Sequence, residues 1–139
     1  MKSNTGMTIY NKYVSSGTEK YQRTQITNVQ WENTKASNIL ASGVLEANKF
    51  TIYISFNGHD ANYLLPKAWL ALATKTGKFT LNEGDVIVKG LITDEITSTP
   101  TVFTISDLKA KYDNVAVIKS VDTYDLGSYN MNHWQLGAT

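Results

Sequence analysis

Near the middle of the chain, Phe50-Thr51-Ile52-Tyr53-Ile54-Ser55-Phe56 alternates strictly between large apolar and more polar side chains. Successive side chains of a strand point to opposite faces, so Phe50, Ile52, Ile54 and Phe56 share one face and Thr51, Tyr53 and Ser55 the other. Such a half-buried strand needs a sheet that curves or stacks to cover its apolar side. Other β-rich runs supply the sheet: Met7–Val14, Tyr21–Trp31, Ala36–Val44, Phe79–Leu81, Asp85–Ile92, Val115–Tyr124 and His133–Leu136. Turn signals separate them, at Ser15-Ser16-Gly17-Thr18, Glu32-Asn33-Thr34, Asn57-Gly58-His59-Asp60, Asn82-Glu83-Gly84-Asp85 and Gly127-Ser128-Tyr129-Asn130. Thr93–Pro100 is polar and reads as an exposed loop.

In Tyr21–Trp31 neither parity is purely apolar, which predicts a bulge or bend near Thr27-Asn28 and a strand that switches faces, as in small barrels. Gly90 suggests a bend or a close approach in its strand. Two segments are helix-prone. Pro66–Ala73 opens with proline at a first helical position and is expected to cap one end of a barrel. Ile105–Tyr112 has Ser106 as its expected cap. The fold class expected is mainly β: a small barrel of about six to eight strands with one or two short helices. Residues 1–6 read as a flexible N-terminus and 7–139 as a single barrel domain. The inward set is expected to include Ile26, Val29, Ile52, Ile54, Val86, Val88, Ile118 and Val121.

With 139 residues the chain has enough length for one core without a metal or disulfide staple. It has no Cys, which excludes thiolate zinc sites, Cys nucleophiles and disulfide scaffolds. The 13 basic and 12 acidic residues give a net charge of +1, and Arg23 is the single arginine. That balance disfavours tight nucleic-acid binding through backbone electrostatics. No apolar run is long enough for a membrane helix, and the N-terminus lacks the pattern of a signal peptide. The expected setting is the cytoplasm, or a particle assembled there.

The search for chemistry returns no catalytic, cofactor-binding or metal-binding residues. His59 and His133 stand alone in sequence, His59 reading as an exposed turn residue and His133 as a strand end packed beside Trp134. A zinc site would need further ligands from scattered carboxylates. Glu83, Asp85, Asp60, Asp94 and Glu95 sit in turn or loop signals, where carboxylates serve local hydrogen bonding. No nucleophile elbow is present, and Gly84 with Gly90 is not a phosphate loop. Trp31, Trp69 and Trp134 are expected to be core and interface anchors; the competing reading is a ligand-stacking groove.

Several segments together resemble a family of small virion proteins of tailed phages and prophages of Gram-positive bacteria, described as minor capsid or head–tail connector proteins. These are Ile9-Tyr10-Asn11-Lys12, the strand Arg23–Trp31, Phe79–Gly90, Ile118–Asp122 and the closing His133-Trp134-Gln135-Leu136-Gly137. The family is similar in turn to head-completion stopper proteins, which are small β-barrels. The resemblance implies a structural component with no catalytic activity. It implies a homo-oligomeric ring that meets a portal or adaptor protein and the tail proteins, with DNA only passing through the channel. It places the protein in the virion, and in the host cytoplasm during assembly. The alternatives are a tail terminator or other tail subunit, a carbohydrate- or nucleic-acid-binding barrel, and an enzyme whose pocket joins His59 or His133 to a carboxylate.

Overall fold

A computed structural model describes residues 5–40, 43–56, 58–59, 61–98, 101–125 and 131–139. Met1–Asn4, Asn57, Asp60, Pro100 and the turn read at 127–130 lie outside the described residues. The elements in chain order are β1 (Thr5–Ser15), β2 (Thr18–Leu40), β3 (Gly43–Ser55), α1 (Pro66–Leu70), β4 (Val86–Lys89), β5 (Thr97–Ser98), β6 (Thr101–Phe103), α2 (Ile105–Lys111), β7 (Val115–Tyr124) and β8 (His133–Ala138). Six strands close into an antiparallel barrel in the order β1-β2-β3-β8-β7-β4, and β5 with β6 forms a separate small ribbon. Among the described residues no helix is long and apolar enough to cross a membrane.

Two bulges reconcile the sequence with this closed wall. Ile26 and Val29 are three residues apart, a spacing that puts side chains on opposite faces of a regular strand. Between them Asn28 adopts φ of 57°, and the β1–β2 register shifts so that Thr5–Met7 opposes Ile26–Val29. Both side chains therefore face inward and are buried. The same device recurs in β7, where the register with β8 shifts between Ile118 and Ser120. Ile118 and Val121 then both meet the core. Gly137 lies opposite this bulge, and a Cβ there would come within 2.6 Å of Ser120 Oγ. The β1–β2 turn holds Ser16 and Gly17 at positive φ, the conformation of a tight two-residue hairpin loop.

Two connections cover the barrel. Residues 56–85 run from β3 to β4 and bring Tyr63, Phe79 and Leu81 onto the interior core. Trp134 is the centre of that end, with ring centroids 4.2 Å from Phe56, 4.5 Å from Tyr63 and 6.3 Å from Phe79. Residues 90–114 fold over the outside of the wall. Ile92 and Leu108 there join Tyr10, Val86 and Val88 in a second core. Helix α2 starts with a capping box, Thr104 receiving the Asp107 backbone N–H and Asp107 receiving that of Thr104.

Several expectations need correction. Val86 and Val88 are buried, but on the outer face beneath α2; Ile87, opposite Ile9, is the inward residue of β4. An apolar run on both parities marks a strand covered on both sides. β1 begins at Thr5, inside the segment read as a flexible N-terminus, because Gly6 lets Leu91 pack against its backbone and its carbonyl accepts from Gly90 N–H. No turn occurs at Glu32–Thr34, since β2 runs unbroken to Leu40 and pairs with β3 throughout. Phe79 makes an isolated bridge to Tyr63 and not a strand. The loop beginning at Thr93 holds the β5–β6 ribbon. The α2 cap is Thr104, not Ser106.

Trp134 is 2% exposed, and Leu136 shares its inward face. We expect Trp134→Ala to cost about 3–5 kcal/mol of stability, the usual range for removing a buried aromatic. Denaturant unfolding of the isolated chain checks this; an unchanged midpoint would remove Trp134 from the core.

Candidate functional site

The densest buried polar cluster lies where the crossing connection meets the wall. Asn11, on the inward parity of β1, is fully buried. Its Nδ2 donates to the Thr80 carbonyl at 2.7 Å and to Asp85 Oδ2 at 2.8 Å, and its Oδ1 accepts from the Thr80 N–H. One amide side chain thus gives an extended loop the hydrogen bonds that a neighbouring strand would supply. Asp85 Oδ1 accepts from the Lys12 N–H. Both Asp85 oxygens are occupied, and the residue is 3% exposed. Burial pushes the Asp85 carboxyl above its ordinary value, against the opposing hydrogen bonds from Lys12, Asn11 and Asn82. The folded state then binds more protons than the unfolded chain just above the ordinary carboxyl range. Stability falls as pH rises through that window, so ionised Asp85 is a cost at neutral pH.

A second cluster fastens the outer connection. Tyr10 Oη donates to the Asp94 carbonyl at 2.6 Å, while Tyr112 Oη and Lys111 Nζ both reach Asp94 Oδ2, at 2.6 and 2.9 Å. Arg23 Nε bonds Glu95 Oε1 at 2.7 Å, and Arg23 Nη1 and Gln25 Nε2 both donate to the Ile92 carbonyl. The Tyr112 hydroxyl first, then the Lys111 ammonium, holds the Asp94 carboxyl below its usual range. The sole arginine is therefore spent on a loop. Asp85 and Asp94 belong to separate networks, so the carboxylates do not form a pair for acid–base work.

The two histidines also have local partners. His59, read as an exposed turn residue, lies in a turn and is half-buried; its Nε2 donates to the Thr27 carbonyl at 2.7 Å and ties that turn to the β2 bulge. His133 does not pack beside Trp134, which lies on the opposite face of β8. It stacks on Tyr124 with centroids 4.8 Å apart and an interplanar angle of 15°, with Tyr53 at 5.8 Å on its tilted side. This trio sits on the outer face of β3, β8 and β7. Among the described residues no group of three or more His, Asp or Glu is placed to hold a metal ion.

The tryptophans do not share a groove. Trp31 packs on Phe50, Trp134 on the barrel-end aromatics, and Trp69 on Tyr13 beneath α1, each at most 3% exposed. Lys75 lies over Tyr13 and Trp69 and donates to the Leu72 carbonyl, which closes the end of α1. Beside it an open cleft of roughly 420 Å³ is lined by Lys12, Val14, Leu70 and Glu83 among others. Val14 and Leu70 are 65% and 49% exposed, which makes this an apolar spot at the β1–β2 turn end of the barrel. The sequence signal missed here was Asn11, an amide in an otherwise apolar stripe with Met7 and Ile9.

A family model matches residues 1–139, the whole chain. The chain belongs to DUF6751, a family of unknown function. No curated protein and no solved structure matches it. For this DUF6751 member the interior of the barrel is packed with its own side chains, and the Asn11, Asp85 and Asp94 side chains bond partners within the chain.

Two substitutions test these clusters. Asn11→Ala leaves three groups, the Thr80 N–H and carbonyl and one Asp85 oxygen, without the Asn11 partner; at roughly 1–3 kcal/mol for each unpaired group, a loss of at least about 3 kcal/mol is expected in chemical denaturation. For Asp94 the sign is opposite to that of Asp85. Its depressed pKa contributes stability that is present above the ordinary carboxyl value and lost as pH falls through the folded value. Asp94→Asn should therefore lower the thermal midpoint at neutral pH, and the gap to the parent should close in strong acid. A gap that stays constant with pH would reject the charge role.

Proposed function

We propose that this protein is a non-catalytic structural subunit of a phage virion that acts in the head–tail connector as a stopper-like head-completion component. The observation that carries the reading is where the resembling segments lie. Ile9–Lys12 is in β1, Arg23–Trp31 in β2, Val86–Lys89 forms β4, Ile118–Asp122 is in β7 and His133–Gly137 in β8. The likeness therefore covers five of the six strands of the wall and not a single loop.

The physical character of the molecule supports this. A connector subunit needs a rigid body, surfaces for its neighbours and no substrate cavity. Here the barrel is closed and its centre is packed with Ile9, Ile26, Ile52, Ile54, Ile87 and Leu136. In this reading the protein forms a homo-oligomeric ring below the portal or adaptor and above the tail. DNA passes through the ring without sequence readout, in keeping with a net charge of +1.

The test is deletion of the gene from a prophage that carries it, followed by induction and electron microscopy. Filled heads and separate tails are expected, with joining restored by the gene in trans and the labelled chain found at the neck. Normal joined particles without the protein would overturn the proposal.

A further inference from the structure

Strand β2 is longer than the barrel it helps to build. Among the described residues its pairing with β1 ends at Val29, opposite Thr5. β3 loses its other neighbour at Phe50, opposite Ala138 of β8. The β2–β3 ladder nevertheless continues through seven further pairs, from Thr34↔Lys49 to Leu40↔Gly43. At about 3.3 Å per residue this is an arm roughly 23 Å long. Among the described residues no third strand pairs with either of its outer edges.

A two-stranded ribbon in water is marginal, and an open edge offers a row of unpaired N–H and C=O groups. Exposed edges are usually guarded by charge or proline. The sequence of this arm from Asn38 to Leu45 contains neither, and it includes Ile39, Leu40, Val44 and Leu45. Its charges, Lys35, Glu46 and Lys49, fall outside that run and carry both signs. Two such arms can therefore lie side by side without a block of like charge. Among the described residues Thr18–Asn28 of β2 is also paired on one side only, with β1, but that run carries Glu19, Lys20 and Arg23. Among the described residues the arm is a two-stranded stretch open on both edges with an uncharged run toward its end, and a second copy presents one matched in length and chemistry.

We infer that the arm, residues 34–40 and 43–49, is the assembly element of this protein, and that it pairs edge to edge with the arm of a second copy to extend the ladder across the interface. This rests on the reading of the chain as a subunit that assembles with copies of itself, and it names the surface that does so.

The test compares the full chain with a shortened one in which residues 35–48 are replaced by Asn-Gly. Thr34↔Lys49 and Leu40↔Gly43 differ by an even number of steps, so the shorter loop closes on the same kind of pair. Light scattering after size exclusion, across the micromolar range, should give the full chain a multiple of 15.4 kDa. The shortened chain should run as a monomer with its thermal midpoint retained. Should the shortened chain fail to fold, Ile39→Lys serves in its place. It adds a charge to the uncharged run and should weaken association at least tenfold at low salt, with recovery at high salt. A full chain that is monomeric throughout overturns the inference. So does an oligomer that survives the shortening or, where Ile39→Lys stands in, ignores that substitution; this last result would leave the assembly reading standing and place the contact elsewhere.

Discussion

Closure of the wall rests on a strand of only four residues. Among the described residues β4, Val86–Lys89, is the strand that joins β1 to β7, and each of its flanks carries a short ladder. A strand this short is held in place by what grips its ends. At one end Asp85 receives the Lys12 and Asn11 donors, and the Ile118 N–H donates to the Asp85 carbonyl. At the other end Thr8 Oγ1 donates to the Gly90 carbonyl and accepts from the Ile92 N–H. Gly90, at φ of 99°, turns the chain away immediately afterwards. The buried carboxylate at Asp85 is therefore explained by geometry: it anchors the strand that closes the barrel, at a cost in desolvation.

The sequence made the strands legible wherever pattern and burial coincide. The alternation from Phe50 to Phe56 is reproduced residue by residue, and the disturbed parity of Tyr21–Trp31 marked the bulge at Asn28. Trp134 and Leu136 take the inward face as their shared parity required. Where reading failed, long-range contacts had overridden local signals. Val86 and Val88 looked like half of an alternating pattern, yet the strand is covered on both sides, once by the core and once by α2. The polar stretch Glu32-Asn33-Thr34 has turn composition, and nothing local reveals that the ladder continues past it. Local composition favoured a turn there, but the paired partner across the hairpin decides.

The candidate sites show the same division. That the histidines stand apart from one another in sequence was visible in their spacing. The bonds that engage them were not, because Thr27 lies 32 positions from His59 and no pattern links the two. Asn11 is the clearest case. An amide in an apolar stripe is either an error or a deliberate bracket, and only the position of Thr80 distinguishes them. The polar side chains of these two networks hold chain crossings in place.

A single continuous strand belongs to both the arm and the barrel, and this has a mechanical meaning. A pull on the arm tip along the axis of β2 is carried by covalent backbone to Trp31 and Val29 without an intervening hinge loop. Inside the wall that load meets ladders to β1 on one side and β3 on the other, whose bonds run across the direction of pull. They are loaded in shear and share the force, where peeling would open them one at a time. The molecule is built as a tension member anchored in a solid block.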